Sequence, residues 1–302
     1  MDLVINLLLA SLYQGLAYGF VALGVYITFR VLAFPDLTVD GSFPLGGAVA
    51  AILIVAGVNP WLATLIAFIS GMCAGLITSL LNTKLRLNAL LSGILMMVAL
   101  YSINLAIMGR SNVSILREAT VLKQTAQLFG IELNTMLTSL FMIVLTILIL
   151  GILNWFLRTE IGLALRASGD NEQMVRGLGI NTDMTIVIGV SLSNGLVALA
   201  GGLIAQKQGF ADVGMGIGMI VMGLASVIIG ERLFRPRGVT TILFAVIGGS
   251  FFYRLFIGIA LRLGLPPSNL KLITAMLVII ALAIPYIQKK IRGEWIPPAA
   301  RM

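Results

Sequence analysis

The chain has 302 residues, of which 59% are hydrophobic and only 11% are charged. A soluble domain is typically about 45–50% apolar and about 25% charged, so this composition leaves too few polar residues to cover a water-exposed surface and excludes a soluble domain. The chain has no histidine and one cysteine, Cys73, which excludes a disulfide within the chain and argues against a histidine–cysteine metal site.

The apolar runs predict where the chain crosses the membrane. A helix needs roughly 20 mostly apolar residues to cross the hydrocarbon core. Uncharged runs of about this length occupy residues 3–29, 61–82, 88–108, 134–157, 185–205, 239–260 and 270–288. The first is treated as a true span, because it is longer than the apolar part of a cleaved signal peptide and lacks a preceding basic region.

Two further runs, Phe43–Val58 and Gly214–Gly230, are shorter and are interrupted by glycine or proline. Adding them predicts an all-α polytopic membrane protein with about nine membrane segments, in a range of eight to ten. The whole chain, residues 1–302, is expected to form a single transmembrane domain.

The net charge of +8 could suggest a nucleic-acid partner, but the basic residues lie in short loops and at the C-terminus. Lysine and arginine concentrate in the cytoplasmic loops of membrane proteins. If the N-terminus is outside and all nine segments cross, most of these residues face the cytoplasm. The sequence therefore predicts a multi-pass protein with its N-terminus outside and its C-terminus inside, and no nucleic-acid partner.

A short similarity suggests an internal repeat. Phe34-Pro35-Asp36-Leu37 precedes the first short run, and Phe210-Ala211-Asp212-Val213 precedes the second, 176 residues later. The same offset relates the long spans on either side. Because the predicted topology places the two stretches on opposite faces, the halves, about 1–108 and 180–288, would be inverted copies around the 134–157 helix. Two accidental short helices are the alternative.

Inverted repeats place the transport route near paired, broken helices. The candidate residues of the translocation path are therefore those of the two short runs: Ser42, Phe43, Gly46, Gly47, Gly214, Gly216, Gly218, Met219 and Met222. Glycine in a membrane helix also serves close helix packing, and methionine is often plain core, so packing stays open for these residues.

Four polar residues in or near the spans have predicted roles. Asp36 and Asp40 are expected to cap the start of the first short helix, with gating or ion coupling as the alternative. Asn194 is expected to make interhelical hydrogen bonds. Arg254 is expected to reach the outer face, with a contact to an external partner as the alternative. No carboxylate is evident at mid-membrane.

The loop Gly109–Leu133 is the longest on the predicted outer side and shows no obvious structure. Loops of this length often have a function, so docking of an external protein is one interpretation and a solvated connector is the other.

The longest polar stretch on the predicted inner side is the loop 158–184. Asp170, reciprocated by Gln173, predicts the capped start of a helix of about two turns, which Gly177 and Gly179 would end. Helical spacing places Met174, Val175 and Leu178 on one face. From the residues alone, this face could dock into a partner's groove or lie on lipid headgroups.

The run Gly162-Leu163-Ala164-Leu165-Arg166-Ala167-Ser168-Gly169-Asp170-Asn171, continuing through Met174 to Gly179-Ile180, resembles the coupling loop of the branched-chain amino acid/ribose-type permeases of ABC importers. The segment Phe34–Phe43 resembles a narrower branch, whose permeases work with lipoprotein binding proteins for tryptophan, tyrosine or related solutes.

The resemblance implies a permease of the bacterial plasma membrane with no catalytic residues. It would pair with an ATPase that binds ATP and Mg²⁺, an external substrate-binding lipoprotein, and a second, identical permease. The residues that contact the ATPase would be Gly169, Asp170, Asn171, Met174, Val175, Leu178 and Gly179. This chain itself has no Walker A sequence for nucleotide.

Two other classes of membrane protein are the alternatives. An ion-coupled secondary transporter would be expected to keep a charged residue at mid-membrane for its coupling ion. An enzyme acting on lipid would need convergent catalytic groups inside the spans, and the sequence offers neither histidine nor paired carboxylates there.

Overall fold

The long apolar runs form long helices. The computed structural model describes residues 2–129, 135–263, 272, 274–276 and 279. Its α-helices are α1 (Asp2–Val25), α2 (Val39–Val55), α3 (Pro60–Thr83), α4 (Ala89–Met108), α5 (Val121–Phe129), α6 (Thr135–Phe156), α7 (Glu160–Asp170), α8 (Glu172–Gly177), α9 (Thr182–Gln208), α10 (Met219–Phe234) and α11 (Val239–Arg262).

Seven helical segments of the described chain are long and apolar enough to cross a membrane, and α2 is a shorter apolar helix. The all-α polytopic fold is therefore confirmed. The number of about nine segments is not established, because the span predicted at 270–288 lies largely outside the described residues.

Local sequence sets the ends of these helices. The side chains of Asn59, Asn88 and Asn181 precede α3, α4 and α9, and each accepts a hydrogen bond from a main-chain amide in the first turn. At the other end, α4 and α9 stop at Gly109 and Gly209, which have φ of 65° and 83°. Glycine adopts this left-handed conformation without a steric penalty.

The first span does not continue as a regular α-helix to its end. Residues Tyr26–Val31 form a π-helical segment, and Ala33 then takes a positive φ of 52°. Insertions of this kind are frequent at functional sites. The chain thus leaves α1 by an irregular connection that runs from Leu32 to Thr38 before α2 begins.

Helix α9 lies at the centre of the bundle and packs closely against α2 and α3. Glycines line both contacts. A methyl group on Gly46 of α2 would overlap the carbonyl oxygen of Ala198, and one on Gly71 of α3 would overlap that of Asn194. Small residues allow the backbones of membrane helices to approach in this way.

The same kind of packing recurs on the other side of the bundle. Helix α1 contacts α10 and α11, just as α9 contacts α2 and α3. Each first helix of a predicted half therefore packs on the second and third helices of the other half. This reciprocal arrangement agrees with two related halves, while their description as inverted copies stays a prediction.

The long loop after α4 is ordered over its described part, which ends at Phe129, and this differs from the expected lack of structure. Strand β1 (Asn112–Ser114) pairs antiparallel with β2 (Phe210–Asp212), and α5 follows. The Gln206 side chain accepts a hydrogen bond from the Val121 amide at 2.9 Å and donates one to the Thr64 hydroxyl at 2.8 Å. The β-strand pairing was not predicted, because three-residue strands give no periodic signal. Leu133, the predicted loop end, lies outside the described residues.

Glycine packing around α9 gives a stability prediction. Gly46→Ala should destabilise the chain by about 2 kcal/mol or more, because the added methyl group meets backbone that cannot move without shifting a helix. Gly151→Ala in α6 is the matched control, since nothing lies within 4 Å of its added methyl group. Thermal unfolding in detergent measures both, and equal midpoints for the two variants would contradict the packing argument.

Candidate functional site

The first break in the helices is the connection 32–38 between the first span and α2, and it encloses a buried carboxylate. Asp36, in the connection between α1 and α2, is fully buried. One of its oxygens accepts a hydrogen bond from the Thr38 amide at 2.9 Å, and the other accepts one from Nδ2 of Asn194 at 2.7 Å. The Oδ1 of Asn194 accepts a bond from Ser42 at 2.7 Å. Asn194 thus makes the interhelical hydrogen bonds expected of it.

Asn194 lies near the middle of α9, so Asp36 brings a carboxylate to the interior of the bundle. A carboxylate buried between the spans was not predicted, while the expectation of none at mid-membrane stays a prediction. The sequence places Asp36 outside every apolar run and does not show that its connection folds back into the bundle. The signal that could have revealed it is the polar patch Ser191–Asn194, which needs buried polar partners.

The second break is the connection 209–218 between α9 and α10, and it is built in a related way. Asp212 accepts a hydrogen bond from the Gly214 amide at 2.7 Å, so Asp36 and Asp212 both bind the amide two residues further along. A short 3-10 helix, Val213–Gly216, follows, and Gly218 has a φ of 88° where α10 begins. Glycine suits this position because it has no Cβ atom and adopts a positive φ without a steric penalty.

Asp40 connects the two breaks. Its carboxylate accepts hydrogen bonds from the Gly218 and Ile220 amides, each at 2.9 Å. It therefore caps α10, in the other half of the chain. The expectation that Asp40 caps its own helix was wrong, because residue 40 already lies inside α2 and its side chain points at the start of α10.

A cavity of about 430 Å³ lies where the breaks meet. It is walled by α2, α4 and the connection before α10. Its lining includes Asp40, Gly41, Pro44, Met97, Tyr101, Ser102, Asn104, Val213 and Ile217. Asn104 donates to the Gly41 carbonyl oxygen at 3.1 Å, while its own buried oxygen has no hydrogen-bond partner in the described part of the chain. The cavity thus has mainly apolar walls, and the exposed side chains of Tyr101 and Ser102 belong to its lining.

None of the residues predicted for the path belongs to the lining of this cavity. Ser42, Phe43 and Met222 are buried in packing contacts. Added methyl groups on Gly47 and Gly216 would meet Met215 and the Asp40 backbone, respectively. Gly46 packs on α9, and Gly214, Gly218 and Met219 lie at the second break. Their role in transport stays a prediction. The contribution of α4 was missed, because α4 shows no interruption in sequence.

Arg254 turns toward the bundle interior. Its guanidinium carbon lies 3.4 Å from the centre of the Tyr18 ring, which stacks on Phe43 at 5.8 Å. Its Nε is buried and has no hydrogen-bond partner within the described residues. This packing on an aromatic ring of α1 stabilises the cation. The expected approach of Arg254 to the outer face stays a prediction.

The loop 158–184 contains two helices, α7 and α8, separated at Asn171. The side chain of Asn171 accepts a hydrogen bond from the Met174 amide at 3.0 Å, so Asn171 caps α8. The predicted cap, Asp170, was wrong by one residue, because the chain stays helical through Asp170. The predicted end was right: α8 stops at Gly177, and Gly179 has a φ of 83°.

The apolar residues of α8 do not share one accessible face. Val175 is fully buried against the neighbouring helices, whereas Met174 and Leu178 are 56% and 71% exposed. The prediction that all three form one docking face was therefore wrong for Val175. Met174 and Leu178 are four residues apart and remain neighbours on the exposed side.

Polar contacts fix α8 to the start of α9. Arg176 donates to the Thr182 hydroxyl at 2.6 Å and forms ion pairs with Glu172 at 2.7 Å and Asp183 at 3.0 Å. Gly169, at the end of α7, contacts the Val31 carbonyl so closely that a methyl group there would overlap it. The loop is thus tied both to α9 and to the π-helical end of the first span.

Comparison with known proteins gives a consistent set of relatives. The pattern of the family described as "Branched-chain amino acid transport system / permease component" matches residues 7–282. The chain is 40% identical over 276 residues to the tyrosine transport system permease protein of Clostridioides difficile, covering 91% of this chain and 90% of that protein.

Two further proteins are similar to the chain. The chain is 37% identical over 282 residues to an uncharacterised protein of Rickettsia prowazekii, covering 92% of this chain and 97% of the other. It is 28% identical over 203 residues to a probable branched-chain amino acid transport permease protein, LivH, of Methanocaldococcus jannaschii, covering 63% and 62%. No solved structure matches the chain.

The cap that Asp40 provides can be tested by its removal. Asp40→Ala leaves the Gly218 and Ile220 amides without their acceptor and should destabilise the protein by about 1–3 kcal/mol. Asp170→Ala is the control, because Asp170 is exposed and caps no helix. Thermal unfolding of the two purified variants should separate them. Equal stability would mean that the connection between the breaks does not depend on Asp40.

Proposed function

Since the chain belongs to the family of branched-chain amino acid transport system permease components, we propose that it is the membrane-spanning permease of an ATP-driven amino-acid importer. The family consists of transport proteins, so the chain moves its solute without changing it chemically. Its proposed partners are an ATPase subunit, an external binding protein and a second permease.

The observation that carries the proposal is the exposed apolar pair on α8. Met174 and Leu178 project from a short helix whose other side is anchored by buried Val175 and by Arg176. Exposing two large apolar side chains is unfavourable in water, and a rigid backbone holds them in a fixed geometry. This arrangement suits a hydrophobic cleft of a partner protein, which we identify as the ATPase subunit.

The remaining predicted coupling residues shape this helix. Asn171 caps it, Gly179 lets the chain turn after it, and Gly169 and Asp170 end α7 before it. ATP and Mg²⁺ would bind to the ATPase alone. Closure of the ATPase subunits would then move α8, and the contacts of Arg176 and Gly169 would transmit the movement to α9 and to the π-helical end of the first span.

This proposal requires a defined orientation. The loop 158–184 lies in the cytoplasm, the N-terminus lies outside, and the protein resides in the bacterial plasma membrane. The excess of basic residues on the predicted inner side supports this orientation. The ordered segment after α4, with β1 and α5, then faces the external binding lipoprotein.

The cavity between α2 and α4 is the proposed part of the translocation path. It lies at both helix breaks, and the exposed side chain of Ser102 in its lining can bind a polar group of the solute. Its open side includes the exposed side chains of Val98 and Tyr101, against which a second, identical permease would pack. A tyrosine permease among the relatives supports an aromatic amino acid as the solute.

An ion-coupled carrier is the second candidate, and buried Asp36 is the observation that favours it. Both Asp36 oxygens already accept hydrogen bonds from Thr38 and Asn194, which supports a structural role. Membrane vesicles that contain ATP but lack ion gradients distinguish the two. Uptake under these conditions supports the importer, and its absence supports the carrier.

Substitution on α8 tests the ATPase contact. Met174→Asp with Leu178→Asp would bury unpaired carboxylates in the interface, a cost of several kcal/mol, and so weaken ATPase binding more than a hundredfold. Leu85→Asp is the matched control, an exposed leucine in the α3–α4 connection on the same predicted face. Co-purification of the ATPase and hydrolysis stimulated by the binding protein are the measurements. Normal values in the double variant would refute the contact.

Filling the cavity tests the path. Ser102→Trp should block uptake of the radiolabelled solute in reconstituted vesicles, because the indole ring occupies the space between α2 and α4. Leu91→Trp is the control on the same helix, at an exposed position away from the cavity. Both variants should still co-purify with the ATPase. Normal uptake by Ser102→Trp would remove this cavity from the path.

A further inference from the structure

A second cavity, of about 500 Å³, lies where α10 turns into α11. Its lining is dominated by arginines: Arg30, Arg232, Arg235 and Arg237, together with Glu231, Pro236 and Ile242. No part of the proposed coupling or transport path uses this cavity, and its charge differs from that of the apolar cavity between α2 and α4.

The single carboxylate of the cavity is already engaged. Glu231 binds Arg30 through two hydrogen bonds, of 2.8 and 3.1 Å. The side chains of Arg232, Arg235 and Arg237 are exposed and form no ion pair within the described part of the chain. Three guanidinium groups therefore remain free to bind an anion.

The neighbouring backbone adds to this positive charge. Helix α11 begins directly after Gly238, which has no side chain to cap it, and a helix N-terminus carries a partial positive charge. Arg158 approaches from the end of α6 and donates to the Thr240 hydroxyl at 2.7 Å. Guanidinium groups in a planar fork suit the oxygens of a phosphate group.

Exposed apolar side chains lie on the two helices that meet at the basic cavity. Leu233 and Phe234 at the end of α10 and Phe244 on α11 are each more than half exposed. The Phe234 ring packs at 6.2 Å against Phe252, further along α11. A ligand with both a phosphate group and an alkyl chain would contact both surfaces, whereas a free phosphate would use only the arginines.

We propose that this cavity is a binding site for an anionic phospholipid, with the headgroup phosphate held by Arg232, Arg235 and Arg237 and an acyl chain lying along Phe234 and Phe244. Basic pockets between membrane helices bind anionic headgroups in this way. The lipid would then bridge the ends of α10 and α11 at the membrane surface. This proposal does not depend on the ATPase contact.

Native mass spectrometry of the purified full-length chain in detergent tests the site directly. The chain is titrated with phosphatidylglycerol, with phosphatidylcholine, and with phosphatidylglycerol in a large excess of inorganic phosphate. We expect one tightly bound phosphatidylglycerol, weak binding of phosphatidylcholine, and little displacement by inorganic phosphate. Equal binding of the two lipids would overturn the proposal, and full displacement by inorganic phosphate would assign the site to a free anion instead.

Variants locate the site. Arg235→Gln with Arg237→Gln should weaken phosphatidylglycerol binding about thirtyfold, from the typical contribution of a basic residue near an anionic membrane. Arg110→Gln with Arg117→Gln removes the same charge from exposed positions elsewhere and should leave binding nearly unchanged. Phe244→Ala should weaken binding of the lipid as well. If the Arg235/Arg237 pair binds like the wild type, or if both double variants weaken binding equally, the proposed site is wrong.

Discussion

The close approach of α9 to α2 and α3 is the constraint on which the rest of the structure depends. Glycines at Gly46, Gly71 and Gly201 remove the side chains that would hold these backbones apart. Van der Waals contact and interhelical hydrogen bonds drive association in lipid, where burial of apolar surface contributes little. The small residues are therefore what allow Asn194 to reach Asp36 and Ser42 across the interface.

These hydrogen bonds hold the first break in place, and Asp40 links it to the second break by binding the start of α10. The connection before α2 is held by Asp36, and the start of α10 is held by the carboxylate of Asp40. The cavity lies beside α4, where α2 and α10 begin inside the bundle. On the other side, Arg176 ties α8 to α9, and Gly169 at the end of α7 packs on the π-helical end of the first span.

Much of this architecture follows from the sequence. Apolar runs predicted the long helices, and the Gly162–Ile180 segment identified the family, which comparison with relatives confirmed. The misplaced cap shows where local reasoning fails: Asp170 and Asn171 are both good caps, and only the packing of α7 decides between them. Burial of Val175 and the Asp36–Asn194 bond depend on residues distant in sequence, so no periodicity could reveal them.

The carboxylate of Asp40 also has a consequence for how the chain is made. Its amide partners lie 178 and 180 residues further along, and the Asn194 partner of Asp36 lies 158 residues further along. During synthesis, the first half thus enters the bilayer before its two aspartates have these donors. An unpaired carboxylate inside a bilayer is costly, so residues near 36–40 should stay close to the membrane surface until α9 and α10 emerge. Assembly of the helix breaks is therefore a late, post-insertion step that waits for the second half of the chain.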